Sequence, residues 1–229
     1  MVLALDGSAQ KSYSGTTIVF SGLAILTTSI DNDIIIVTVG ARTTSAPYVT
    51  VSSISSTPTL TWTLRRQKQQ TNSSTVWQDL EEWYTVWTSH GELSITVTLS
   101  GTPSYGKGVA FGISGANTAT IFDSNAGANP TGSGNSADPT VSITTSNAND
   151  FIFGLETTTN ANIATPGSGF TNIQQIENLG TEYKIVSATQ SGATVNFIVA
   201  TGLWCMIADA IMQATAAVSL RRLKMGLGR

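Results

Sequence analysis

Thr27-Thr28-Ser29-Ile30-Asp31-Asn32-Asp33-Ile34-Ile35 recurs as Thr144-Thr145-Ser146-Asn147-Ala148-Asn149-Asp150-Phe151-Ile152. In each copy a polar stretch passes through Asn and Asp and ends in an apolar run. Short polar side chains bond their own backbone and tolerate turn geometry, so the shared pair marks the point where a strand begins. It reads as a turn, not as a site. The stretches beyond each copy correspond more loosely. After the first copy come Leu60-Thr61-Trp62, Glu82-Trp83-Tyr84-Thr85-Val86, Ile95-Thr96-Val97-Thr98 and Val109-Ala110-Phe111-Gly112-Ile113. After the second come Phe170-Thr171, Glu182-Tyr183-Lys184-Ile185-Val186, Thr194-Val195-Asn196-Phe197 and Met206-Ile207-Ala208-Asp209-Ala210. The chain therefore reads as two copies of one β unit, residues 16–113 and 141–213, joined by a loop over 114–140 rich in Gly, Ala, Asn, Ser, Asp and Pro.

Short runs of Val, Ile, Thr and aromatic residues between Gly, Pro, Asn, Asp and Ser read as strands. Twelve are predicted: Thr16–Phe20, Asp33–Ala41, Val49–Ile54, Leu60–Arg66, Leu80–Trp87, Leu93–Ser100, Gly108–Ile113, Val141–Thr145, Phe151–Leu155, Glu182–Ala188, Thr194–Ala200 and Trp204–Met212. Strands at this spacing predict an all-β, two-sheet β-sandwich of jelly-roll or Ig-like type over residues 1–218. Since each half alone would expose an apolar sheet face, the halves are expected to pack together.

Composition agrees. Of 229 residues only 25 are charged, while 26 are Ser, 35 are Thr and 21 are Gly. A mean hydropathy of +0.11 excludes a disordered polyelectrolyte, and a coiled coil needs far more Ala, Glu, Lys, Leu and Arg. A single cysteine, Cys205, excludes an intramolecular disulfide or a Cys-rich zinc site. The first residues, Met1 to Asp6, do not read as a Sec-type signal peptide. Residues 1–218 carry 7 basic and 14 acidic side chains, and residues 219–229 add Arg221, Arg222, Lys224 and Arg229 as a basic C-terminal tail. The acidic body argues against nucleic-acid binding through it. The apolar stretch Phe197–Val218 is long enough to span a bilayer, but Asp209 near its middle and the Gly at 202 make it read as two strands rather than a tail anchor.

Candidate chemistry is sparse. His90, the one histidine, lies in the turn Thr88-Ser89-His90-Gly91 and lacks the nucleophile elbow of a hydrolase. Cys205 sits in an apolar strand and reads as a small core hydrophobe. Asp123, Asn125 and Asn129 alternate along a Gly-containing loop in the manner of oxygen ligands to a hard cation such as calcium, without the Glu that closes such a site. Asp31 and Asp33 share a face if extended, and Gly132-Ser133-Gly134 lacks the Lys of a phosphate loop. In Val76–Trp87, one strand face carries Trp77, Trp83 and Trp87 among carboxylates. That face would stack on sugar rings; the other reading has these tryptophans fill an inter-sheet core or a subunit contact.

The strings Leu3-Ala-Leu-Asp-Gly-Ser8, Leu60-Thr-Trp-Thr-Leu-Arg-Arg66, Glu82-Trp-Tyr84, Val109-Ala-Phe-Gly-Ile-Ser-Gly-Ala116, Ile121-Phe-Asp-Ser-Asn125, Thr165-Pro-Gly-Ser-Gly-Phe170 and Met206-Ile-Ala-Asp-Ala210 together resemble β-sandwich virion surface and decoration proteins of tailed phages and related viruses. Similar modules occur on prokaryotic cell surfaces. The resemblance spans nearly the whole chain and rests on strands and turns. It implies a non-enzymatic, oligomeric capsid-decoration or other particle-surface subunit, without cofactor, that is assembled in the host cytoplasm and contacts copies of itself and other virion proteins. It carries over no catalytic residues. In this setting the basic tail would lie across an acidic neighbouring subunit. The rival readings are a carbohydrate-binding or adhesin module using Trp77, Trp83 and Trp87, and an extracellular filament subunit joined by strand exchange.

Overall fold

A computed structural model describes residues 1–72, 74–127 and 130–215. The basic tail positions Arg221, Arg222, Lys224 and Arg229 lie outside the described residues, as does Asn129. The first half contains β1 (Ala4–Ser12), β2 (Thr17–Phe20), β3 (Leu26–Thr28), β4 (Asp33–Thr43), β5 (Val51–Thr57), β6 (Thr63–Thr71), β7 (Trp77–Trp87), β8 (Gly91–Leu99) and β9 (Tyr105–Ser114). The second contains β10 (Thr131–Ser136), β11 (Thr140–Ile143), β12 (Asp150–Thr158), β13 (Thr165–Pro166), β14 (Thr171–Ile176), β15 (Leu179–Val186), β16 (Ala193–Ile198) and β17 (Gly202–Met212).

Each half builds a five-stranded antiparallel sheet, ordered β1-β9-β4-β7-β6 in the first and β10-β17-β12-β15-β14 in the second. Each also builds a smaller sheet, centred on β8 with β2, β3 and β5, and on β16 with β11 and β13. The orders of the two large sheets match strand for strand. The all-β sandwich class holds, but the stack is deeper than two sheets. One apolar cluster (Ile18, Ile35, Val37, Ile95, Val97) fills the space between the first large sheet and its small sheet. A second (Val141, Ile152, Val195, Phe197, Met206) does the same in the other half. A third (Ile34, Ile36, Phe111, Phe151, Phe153, Ile207) lies between the two large sheets, which pack face to face. The order of layers is small, large, large, small. Alternate residues of β4 enter different cores, which is why the run Ile34-Ile35-Ile36-Val37 is apolar at every position rather than at every second one.

The expected loop over 114–140 holds a strand, β10, and a short 3-10 turn at Asn125–Gly127. Composition hides β10 because its glycines serve packing. A Cβ at Gly134 would lie 2.9 Å from Trp204 Cζ2, and one at Gly132 2.8 Å from Val141 Cγ1. Glycine in a strand often marks such a close approach.

Register also corrects the looser half of the repeat. Asp33 lies opposite Trp87 and Ile36 opposite Tyr84. In the second half Asp150 lies opposite Val186 and Phe153 opposite Tyr183. Tyr84 therefore matches Tyr183, one residue away from the pairing of Glu82 with Glu182 that the sequence suggests. Because side chains alternate along a strand, that single step moves every residue to the other face.

Candidate functional site

Most of the chain's acidity is internal. Ten of the fourteen carboxylates are buried, leaving Asp31, Glu92, Asp138 and Glu177 exposed. All seven basic side chains of residues 1–218 reach the surface at least in part. The acidic body read from the sequence is thus not an acidic exterior.

Several of these buried acids shape the fold. Asp6 accepts hydrogen bonds from the Ser29 N–H at 2.9 Å, the Ser29 hydroxyl at 2.6 Å and the Ile30 N–H at 2.8 Å. Asp123 does the same for the second copy, accepting from the Ser146 N–H at 2.9 Å, the Ser146 hydroxyl at 3.0 Å and the Asn147 N–H at 2.7 Å. Burial opposes the charge of each, but these donors outweigh it and hold both carboxyls below the usual range. Asp33 and Asp150 begin the next strands, β4 and β12; burial, then the nearby Asp6, pushes Asp33 up to about 7. Burial carries Asp150 to about 6 against the Asn147 amide. The shared Asn-Asp turn is therefore the visible part of a duplicated network. At the cation candidate, Asp123 accepts protein donors, including the Asn125 N–H at 2.8 Å, while Asn129 lies outside the described residues.

The tryptophan face turns inward. Trp87 is buried and Trp83 packs half-buried against the same core between the first large sheet and its small sheet. The Trp83 indole N–H donates to Glu81 Oε2 at 2.6 Å, and Glu81 Oε1 accepts the Val51 N–H at 2.7 Å. Glu182 plays a comparable part in the second half, accepting the Gly167 N–H at 2.7 Å. Trp77 sits half-buried at the start of β7. The residues proposed as a sugar platform are core and sheet-end residues, because odd-numbered positions of β7 face the small sheet. Cys205 is buried between the large sheets, where burial pushes its thiol up and away from thiolate chemistry. His90 is exposed and bonds Asp31 at 2.6 Å, whereas Asp33 is buried, so Asp31 and Asp33 do not form one site. Among the described residues no helix is long and apolar enough to cross a membrane, and the apolar stretch contains the last residues of β16 and the whole of β17.

One arrangement was not foreseen from the sequence. A β-bulge at Arg65 sets both Arg65 and Arg66 against Glu82 of β7, so two consecutive side chains reach one target instead of opposite faces. That target is Asp209, fully buried on β17 of the other half. Arg65 Nε and Arg66 Nε both donate to Asp209 Oδ2 at 2.8 Å, and Arg65 Nη2 lies 3.4 Å from Oδ1. The two arginine side chains are 25% and 14% exposed. Arg66 Nη2 donates to the Ala126 carbonyl at 3.2 Å. Burial, then Asp209, pushes the Glu82 carboxyl well above its usual range against the pull of the two arginines. The Arg65 guanidinium lies 3.9 Å above the centroid of Phe122, whose ring meets Tyr84 edge-on at 5.0 Å. Tyr84 in turn lines a groove of about 510 Å³ with Leu60, Val86 and Ile121, rimmed by the exposed Thr59, Thr61 and Thr63.

The matching corner of the second half carries none of these charges. Its matching bulge, at Ile173, puts Ile173 and Gln174 where Arg65 and Arg66 stand, and Thr181 where Glu82 stands. Phe111 on β9 occupies the place of Asp209, since it lies opposite Ile36 as Asp209 lies opposite Phe153. Guanidinium groups stay charged at any ordinary pH and do not serve as acids or bases; they clamp carboxylates. The sequence held one signal for the cluster: Asp209, an acid alone in an apolar run, needs a cation when buried. Comparison with protein-family models, with curated proteins and with solved structures returns no match.

Proposed function

We propose that the protein is a non-enzymatic virion structural subunit, a capsid-decoration or other particle-surface protein, which contacts copies of itself and other virion proteins. The observation that supports this reading best is the character of its two outer faces. On the first small sheet Thr98 lies between Thr17 and Ser53, Thr96 beside Ser55, and Ser94 beside Thr57. On the second, Thr140 lies beside Asn196 and Ser142 beside Thr194. Such faces pack against a neighbour by short polar contacts without stripping water from charges. The charged clamp between the halves favours a block of fixed shape, which suits a subunit that works by fitting. In this reading Arg221, Arg222, Lys224 and Arg229 add an electrostatic contact to an acidic neighbour.

Mass spectrometry and electron microscopy of particles purified from a culture expressing the chain in its native setting test the proposal. The expected result is the intact chain on the particle surface. Its absence from particles while abundant in the soluble fraction overturns the reading.

A further inference from the structure

A chain of ring contacts joins the clamp to the groove beside it. The Tyr84 ring lines the groove, meets Phe122 edge-on, and Phe122 carries the Arg65 guanidinium on its face. We propose that this corner docks a peptide segment of a neighbouring protein in which a carboxylate flanks an apolar side chain. Arg65 and Arg66 take the carboxylate, and the lining of Leu60, Tyr84, Val86 and Ile121 takes the apolar group. This rests on the assembly reading above, for which it names the kind of contact.

Charge complementarity carries the inference. Two guanidinium groups converge on one buried aspartate, and both oxygens of the nearby Glu82 lack a hydrogen-bond partner. Two guanidinium groups thus share a single hydrogen-bonded carboxylate at a place where both arginines reach solvent. Asp209 and Ala126 hold the Nε and Nη2 sides, while the Nη1 group of each arginine has no partner among the described residues. A guanidinium fixed by one carboxylate and an aromatic face is already oriented for a second carboxylate, so binding orders little. The matching corner of the second half has Ile173 and Gln174 instead and offers no such charge, so one segment binds per chain.

Nuclear magnetic resonance titration of the full chain with acetyl-Leu-Leu-Asp-Glu-amide, against the uncharged acetyl-Leu-Leu-Asn-Gln-amide as control, tests this. The acidic peptide is expected to saturate one site, shifting amides at the start of β6 and around Phe122. Affinity is expected to fall about tenfold for the neutral peptide, for Arg65→Gln and for Thr61→Glu. Thr61 is exposed on the groove rim, so Thr61→Glu keeps the test valid if Arg65→Gln fails to fold. Equal binding of the two peptides, or wild-type binding by folded Thr61→Glu, overturns the proposal. The two readings fail separately. Peptide binding by a protein missing from particles sinks the assembly role and keeps the site; a protein on particles that binds neither peptide does the reverse.

Discussion

Asp6 and Asp123, 117 residues apart, perform one task twice: each carboxylate gathers the N–H and hydroxyl of a serine and the next N–H, Ser29-Ile30 in one copy and Ser146-Asn147 in the other. Each ties the segment preceding a turn to the first residues of that turn. The strand after the turn, β4 or β12, is the central strand of its large sheet.

Replacing either carboxylate by its amide is expected to destabilise the fold by about 1–3 kcal/mol, the usual loss when a buried, charge-assisted acceptor is removed from its donors. Urea unfolding of Asp6→Asn and Asp123→Asn checks this. Unchanged midpoints in both would show that these contacts do not hold the turns.

The clamp yields a sharper contrast. Asp209→Ala leaves two guanidinium groups facing the inter-sheet core and is expected to lose about 3–5 kcal/mol. The combined variant Arg65→Ile, Arg66→Gln, Glu82→Thr and Asp209→Phe copies the uncharged set of the other half. It is expected to be more stable than Asp209→Ala, because a buried ion pair replaced whole is far less harmful than one broken in the middle. A combined variant less stable than the single one would mean that the two corners are not interchangeable.

Stability is expected to fall as pH rises from about 4.5 to 8. Asp33, Asp79, Glu82, Asp150, Glu156 and Glu182 all bind protons more tightly folded than unfolded, through burial first. The native state then holds more protons than the unfolded one over that range, so its advantage is full below the unfolded pKa and is lost as pH climbs through the folded values. Asp6 and Asp123 act in the opposite sense below about pH 4. Glu156, held at about 8 with neither oxygen partnered, gives the cleanest test. Glu156→Gln is expected to flatten the profile by up to about 1.4 kcal/mol per pH unit. A thermal midpoint that rises between pH 5 and 8 in the native protein would contradict this.

Gly134→Ala places a methyl group against the Trp204 ring and is expected to cost about 1–3 kcal/mol through overpacking. Gly192, where an added Cβ meets nothing within 4 Å, has a φ of +62° and so pays through backbone strain instead. Gly134→Ala together with Trp204→Leu should recover part of the loss if the indole is the obstacle; no recovery would place the strain in the backbone.

Periodicity decides how much of the fold was legible in the sequence. Strands whose Val, Ile and Thr alternate or run together, such as Ile34-Ile35-Ile36-Val37 or Ile95-Thr96-Val97-Thr98, stood out. The edge strands β1, β10 and β14 did not: their Gly, Ser, Asn and Gln carry little strand signal, and only pairing with β9, β17 and β15 makes them strands. The clamp was hidden twice over. A bulge broke the two-residue period at Arg65, and its target lies 144 residues further on. The tryptophan face was visible as a face, but period two alone does not tell which side of a sheet is covered.

The burial of so many acids has an electrophoretic consequence. The composition gives an isoelectric point of about 5.0, a figure that treats every carboxyl as if water reached it. Folding is expected to take protons up from a neutral solution, so that the folded molecule migrates as a less acidic particle than its own unfolded chain. Its isoelectric point is expected above the value its amino acids sum to, and isoelectric focusing under native conditions checks this.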